Sequence, residues 1–297
     1  MGVSLLRKYI YLWANLALRS YYACLGIGLS LLLFAPNPAQ AVTCDTYETV
    51  NQGGGSTCTG IMQCVGRIPA TLSGNWCIDI LDSATYNEEV VLTTRDANGF
   101  RIIIGTDVGS ARPLIAPPTA STAAFQIQVS SVSLFNLGVV PTNPVQYGII
   151  ASSLNVIISS VNVDAGGNPS NLIWTAGISL SSWSAISHSS ITVSAAHGLW
   201  LRGSAMTTVS YSSVQANSAS FYPIYLNGAS NNTFAVVFAS NSASSSRALH
   251  ASGADSNTVT QSYLWGGQRG VTLDTGSDYN TISLSTMIGQ SFYGLYA

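Results

Sequence analysis

The residues best suited to chemistry recur at regular intervals in the C-terminal half of this 297-residue chain. They are aromatic, cationic, amide and carboxylate side chains, which can stack on sugar rings and hydrogen-bond to hydroxyl groups. We treat them as candidate ligand-binding residues on one continuous face. The set is Trp200, Arg202, Tyr225, Asn227, Arg247, His250, Arg269 and Asp274.

Catalytic residues are harder to assign. Hydrolysis of a glycoside needs two carboxyl groups about 5–10 Å apart. His250 and Asp274 are offset by about one repeat and could form an acid–base pair, whereas His188 and His197 are interpreted as turn residues. We expect no catalytic set, cofactor or metal site. From residue 120 onward the acidic residues are Asp164, Asp255, Asp274 and Asp278.

These intervals arise from a sequence repeat. Four-residue runs of the form small–apolar–x–apolar start 21 to 29 residues apart. In three repeats an Asn-Thr-apolar signature follows, at Asn232, Asn257 and Asn280. The runs are Gly148–Ala151, Gly177–Leu180, Gly198–Leu201, Pro223–Leu226, Ala248–Ala251, Gly270–Leu273 and Gly294–Ala297.

The repeat predicts an all-β fold. Each unit of about 24 residues has room for three short strands, and no segment shows the i, i+3, i+4 periodicity of a helix. Such units stack as coils at roughly 4.8 Å, forming three parallel sheets around an apolar interior. Positions 2 and 4 of each run then point inward, and position 3 points outward.

The outward positions of the first strand form columns. Position 3 gives Trp200, Tyr225 and His250, and the residue before each run gives Arg247 and Arg269. An aromatic column of this kind is suited to a glycan. The alternative is that aromatic residues favour strands and stabilise the ladder without any ligand. The Asn column is interpreted as structural, because stacked Asn side chains can hydrogen-bond along the axis.

The Gly-Ile-x-Leu and Asn-Thr-Ile rhythm resembles the repeats of the pectin-lyase-like superfamily of right-handed parallel β-helix proteins. Residues 77–90 are similar to its first coil, although Ala84 stands where glycine is usual. The resemblance covers residues 77–297 and implies a right-handed parallel β-helix, with polysaccharide beside the first-strand sheet. Activity does not follow, because the superfamily includes lyases, hydrolases, esterases, epimerases, adhesins and phage spikes. The polygalacturonase Asn-Thr-Asp motif is absent, since Ile282 follows Asn280 and Thr281.

The first 41 residues resemble a signal peptide. Arg7, Lys8 and Arg19 precede an apolar stretch over 23–35, and a small-x-small pattern ends at Ala41. An uncleaved anchor is the alternative, but the stretch is short for a membrane span. We therefore expect a secreted or cell-surface protein with no membrane span after cleavage.

Four cysteines follow the predicted cleavage site. In an exported protein they indicate two disulfides of open connectivity, with a zinc site as the alternative. We expect residues 42–76 to form a disulfide-linked N-terminal cap and residues 77–297 to form the β-helix. A new coil begins just before Ala297, so we expect the sequence to be truncated at its C-terminus. The cysteines are Cys44, Cys58, Cys64 and Cys77.

Charge limits the choice of partner. Beyond residue 41 the chain has no lysine and seven arginines against twelve acidic residues, which argues against nucleic acid. We favour a glycan-binding or adhesin-like surface module. The alternatives are a polysaccharide lyase or hydrolase, whose catalytic residues are unrecognised or lie beyond Ala297, and a structural stalk or passenger.

Overall fold

The computed structural model describes residues 43–107, 110–165, 172–274 and 276–297. The predicted signal peptide over residues 1–41 lies outside these ranges. Residues 44–297 form one compact unit. In the described ranges, no helix is both long enough and apolar enough to span a membrane.

The regular secondary structure of the described residues consists of β-strands and one short helix, α1 (Ile61–Val65). In chain order the strands are β1 (Thr46–Val50), β2 (Trp76–Ile80), β3 (Thr85–Tyr86), β4 (Val90–Leu92), β5 (Ile102–Gly105), β6 (Leu114–Ile115), β7 (Ser121–Ile127), β8 (Val132–Phe135), β9 (Gly138–Val139), β10 (Val145–Ala151), β11 (Ile157–Ser159), β12 (Asn162–Asp164), β13 (Ile173–Leu180), β14 (Ala185–Ser187), β15 (Ser190–Val193), β16 (His197–Arg202), β17 (Thr208–Ser210), β18 (Ser213–Ala216), β19 (Ile224–Asn227), β20 (Thr233–Ala235), β21 (Phe238–Asn241), β22 (Arg247–Ser252), β23 (Thr258–Thr260), β24 (Tyr263–Gly266), β25 (Arg269–Leu273), β26 (Thr281–Ser283), β27 (Thr286–Gly289) and β28 (Leu295–Tyr296).

The strands form three sheets. Sheet 1 has the order β1-β2-β5-β8-β11-β14-β17-β20-β23-β26, sheet 2 the order β4-β7-β10-β13-β16-β19-β22-β25-β28, and sheet 3 the order β3-β6-β9-β12-β15-β18-β21-β24-β27. A typical coil passes from sheet 2 to sheet 1 to sheet 3, and each strand pairs in parallel with its equivalent one coil away. The predicted parallel β-helix of three-strand coils is therefore confirmed.

The interior is filled by the residues that the repeat places inside. Leu199, Leu201, Ile224 and Leu226 occupy positions 2 and 4 of two runs, and all four are buried. The small residue at position 1 also has a physical reason. A Cβ atom on Gly177 would lie 2.8 Å from the carbonyl oxygen of the next coil, so a larger side chain would push the coils apart.

The Asn column forms a hydrogen-bonded ladder at the turn between sheets 2 and 1. The Oδ1 atom of Asn257 accepts hydrogen bonds from the backbone N–H and the Nδ2 of Asn232, both at 3.0 Å. Asn280 repeats the contact one coil further on, where its Oδ1 accepts from Asn257. The side chains satisfy backbone groups that the turn would leave unpaired, which supports the structural interpretation.

Two disulfides tie the N-terminal segment together. Cys44 pairs with Cys77 and Cys58 pairs with Cys64, which confirms the disulfides and selects one of the three connectivities. Strand β1 of this segment pairs with β2, so the segment contributes the first strand of sheet 1. That residues 42–76 act as a cap remains a prediction.

Replacing Asn257 with alanine tests the ladder. Asn257 is 3% exposed, and its loss leaves the backbone N–H of Asn232 without its acceptor and the Ala229 carbonyl oxygen without its donor. We expect Asn257→Ala to lower the free energy of unfolding by about 2–4 kcal/mol, measured by urea denaturation. Thr258→Ala, one residue away on the outer surface, is the matched control. Equal losses in the two variants would contradict a specific role for the ladder.

Candidate functional site

The central feature of the outer face of sheet 2 is a column of stacked side chains. Trp200, Tyr225, His250 and Thr272 are in register on β16, β19, β22 and β25. The ring centroids of Trp200 and Tyr225 are 6.1 Å apart, and those of Tyr225 and His250 are 5.4 Å apart. Parallel in-register pairing therefore places the predicted aromatic residues on one another, along the axis of the solenoid.

His197 and Tyr222 enlarge this cluster. The His197 ring stacks on Tyr225 with centroids 4.6 Å apart, and its Nδ1 accepts a hydrogen bond from the Tyr222 backbone N–H at 3.1 Å. The interpretation of His197 as a turn residue is wrong. His197 is the first residue of β16, because the strand begins one residue before the run. Its ring is buried among neighbouring aromatic side chains. His188, with φ of 48°, does lie in a turn.

Two arginines flank the column on adjacent coils. Arg247 and Arg269 are paired in register. Arg247 Nη1 donates a hydrogen bond to the Tyr222 hydroxyl at 2.9 Å, and the Arg269 guanidinium lies 4.1 Å from the centroid of the Tyr296 ring. Neither arginine takes part in an ion pair with any residue of the described ranges. Both cations are therefore held against aromatic rings without a neutralising carboxylate.

His250 and Asp274 form the predicted pair. Their Nε2 and Oδ2 atoms are 2.6 Å apart, and the side chains are 10% and 43% exposed, respectively. Burial lowers the pKa of His250 below its ordinary value, although the hydrogen bond and the charge of Asp274 oppose this shift. A neutral imidazole that donates from Nε2 to Asp274 has its lone pair on Nδ1, and this acceptor atom is buried without a partner among the described residues.

The other two predicted residues lie at the exposed rim of the same face. The Arg202 guanidinium is 5.8 Å from the centroid of the Trp200 ring, and Asn227 Nδ2 donates to the Tyr225 hydroxyl at 2.9 Å. All eight candidate residues thus lie on or beside the outer face of sheet 2.

Several buried polar atoms on this face have no hydrogen-bond partner within the described protein. Burying an unpaired donor or acceptor costs about 1–3 kcal/mol, so these atoms make the face less stable than a fully hydrogen-bonded one. Thr272 is fully buried and was not among the candidate residues. Its place at position 3 of the run, in register with His250, could have identified it. The atoms are Trp200 Nε1, Arg247 Nε, His250 Nδ1, Arg269 Nε and Thr272 Oγ1.

Comparison with known proteins gives only distant likeness. No family model and no curated protein matches the chain. A pectin methylesterase solved in complex with a hexasaccharide shares 11% identity over 81% of each chain, with a TM-score of 0.43. The GH136 lacto-N-biosidase of Eubacterium ramulus shares 8% identity over 84% of this chain and 67% of its own, with a TM-score of 0.39. We therefore assign residue roles from geometry alone.

The buried imidazole of His197 predicts a pH-dependent stability. Burial, with a smaller contribution from His250, lowers the pKa of His197 to about 4, although the hydrogen bond from the Tyr222 backbone opposes the shift. The unfolded chain has the ordinary value near 6.5. The unfolded state therefore binds more protons between these values, and stability is complete above pH 6.5 and is lost as the pH falls through about 4.

We expect His197→Gln to reduce this pH dependence. Between pH 7 and pH 4.5 the wild-type protein should lose about 2–3 kcal/mol more unfolding free energy than the variant. Urea titrations at both pH values measure the difference. His188→Gln, at an exposed turn, should behave like the wild type, and parallel losses in all three proteins would refute the assignment.

Proposed function

We propose that this protein binds an acidic polysaccharide along the outer face of sheet 2. The observation that carries the proposal is the in-register column of partly exposed Trp200 and Tyr225, with the directly paired Arg247 and Arg269 beside it. Such a surface offers the aromatic contact area and the cationic groups that an acidic saccharide requires.

The orientation of the ligand follows from the stacking of the coils. Equivalent side chains recur about every 4.8 Å along the solenoid axis. A polymer lying parallel to this axis meets a similar contact at each coil. Trp200, Tyr225 and His250 would then lie beneath successive parts of one chain.

The charge of the ligand follows from the arginine pair. Arg247 and Arg269 occupy directly paired positions on adjacent strands, where like charges repel. A carboxylate placed between them would remove this repulsion and accept charge-assisted hydrogen bonds from both. A uronic acid polymer supplies such carboxylates at regular intervals.

The setting of this activity is also proposed. The signal-like segment before residue 42 supports export, and a rigid solenoid with a saccharide-binding face suits a secreted or cell-surface module. A β-helix that serves as a stalk could carry the same saccharide-binding face, so the binding and scaffolding functions are compatible.

Acid–base catalysis is a second candidate function, and the His250–Asp274 pair favours it. Asp274, the more exposed member of the pair, is positioned by its contact with His250 Nε2. In a uronate, its carboxylate would take the proton next to the sugar carboxylate and pass it to the leaving sugar oxygen, as the carbon–oxygen bond breaks and a carbon–carbon double bond forms. Formation of unsaturated products from polygalacturonate, lost in His250→Gln, would establish this reaction.

Calorimetric titration with hexagalacturonate and hexamannuronate tests the binding proposal. We expect at least one of them to bind, with affinity that falls as salt is added. The double variant Arg247→Gln/Arg269→Gln should bind at least about tenfold more weakly. The control Arg95→Gln/Arg112→Gln changes the net charge equally but lies beside β4 and β6, several coils away from Arg247 and Arg269. Failure of both uronates to bind, or equal weakening by the two double variants, would refute the proposal.

A further inference from the structure

We infer that the outer face of sheet 3 is a second saccharide-binding surface, and that it takes an uncharged chain. This face carries a groove of about 370 Å³, within the range of small-molecule sites. It lies on a different sheet from the face proposed above and shares no residue with it. The polar and aromatic residues of its lining include Thr192, Gln215, Asn217, Ser240, Ser242 and Trp265.

Its floor is a column produced by the same in-register stacking. Thr192, Gln215, Ser240 and Trp265 are paired in sequence on β15, β18, β21 and β24. The column therefore presents hydroxyl and amide groups on three successive coils, with an indole on the fourth. Hydroxyl and amide groups both donate and accept hydrogen bonds, as sugar hydroxyls require of a partner.

The wall of the groove is ordered by contacts within the protein. Ser242 Oγ donates to Asn217 Oδ1, one coil away, at 2.8 Å. Behind it, the buried Asn241 donates from Nδ2 to the carbonyl oxygens of Ser218 and Phe221, both at 2.8 Å. Preorganised polar groups lose less conformational entropy when a ligand binds.

An aromatic platform lies beside the groove on the same outer face. Phe238 and Tyr263 stack with centroids 5.5 Å apart and an interplanar angle of 5°. They are 40% and 39% exposed, so their ring faces and edges remain available to a ligand. Tyr263 and Trp265 point to the same side because they are two residues apart on one strand.

The lining determines the charge of the ligand. None of the described residues that line the groove is ionisable, so no cation is present to neutralise a bound carboxylate. An anionic chain would lose its hydration without compensation. A neutral oligosaccharide instead finds hydroxyl and amide partners together with aromatic surface.

Calorimetric titration of the full chain with cellohexaose, xylohexaose and mannohexaose tests this inference. At least one of these neutral hexaoses should bind the wild-type protein. Ser240→Arg, which places a long side chain on the groove floor, and Trp265→Ala should each weaken that binding by about tenfold or more. Trp183→Ala, which removes an exposed indole in a turn, should leave it unchanged.

Binding of none of the three hexaoses, or undiminished binding to Ser240→Arg, would overturn the inference and leave the aromatic residues as stabilisers of the ladder. Melting temperatures check that each variant is folded, and Gln215→Arg at an exposed floor position replaces Ser240→Arg if the latter unfolds. Hexagalacturonate binding should be unaffected by Ser240→Arg, so failure here is distinguishable from failure of the sheet 2 proposal.

Discussion

Each strand of the solenoid hydrogen-bonds in parallel and in register to its equivalent one coil away, and the other features follow from this constraint. Leu199 N–H, for example, donates to the Pro223 carbonyl oxygen of the next coil at 2.7 Å. Since equivalent residues lie on one another, any side chain type that recurs in the repeat becomes a column. Inward columns form the core, turn columns form the Asn ladder, and outward columns form the surfaces that can meet a ligand.

The outer face of sheet 2 departs from what stability alone would favour. The pairing of Arg247 with Arg269 and the unpartnered buried atoms of His250 and Thr272 each cost free energy. Local conflicts of this kind are expected at functional sites. The groove on sheet 3 differs, because its polar groups are ordered by Asn217 and Ser242 and carry no charge.

The sequence predicted the fold well because one small–apolar–x–apolar run specifies the inward and outward positions of a whole sheet. It could not specify the cysteine pairing, which depends on how the chain folds back between Cys44 and Cys77. The sequence did not reveal the contact between His197 and Tyr222, because it links a strand of one coil to the loop before β19 of the next coil. The sequence did not predict the sheet 3 groove, because the strands of sheet 3, such as β24 with Trp265, share no recognisable motif.

The central claim is that the in-register columns on the outer face of sheet 2 bind an acidic polysaccharide. A crystal structure of the protein with hexagalacturonate tests this claim most directly. We expect a sugar chain along the solenoid axis over Tyr225 and His250, with a carboxylate within hydrogen-bonding distance of Arg247 or Arg269. A chain bound elsewhere on the molecule, or an unchanged face at saturating ligand, would contradict it.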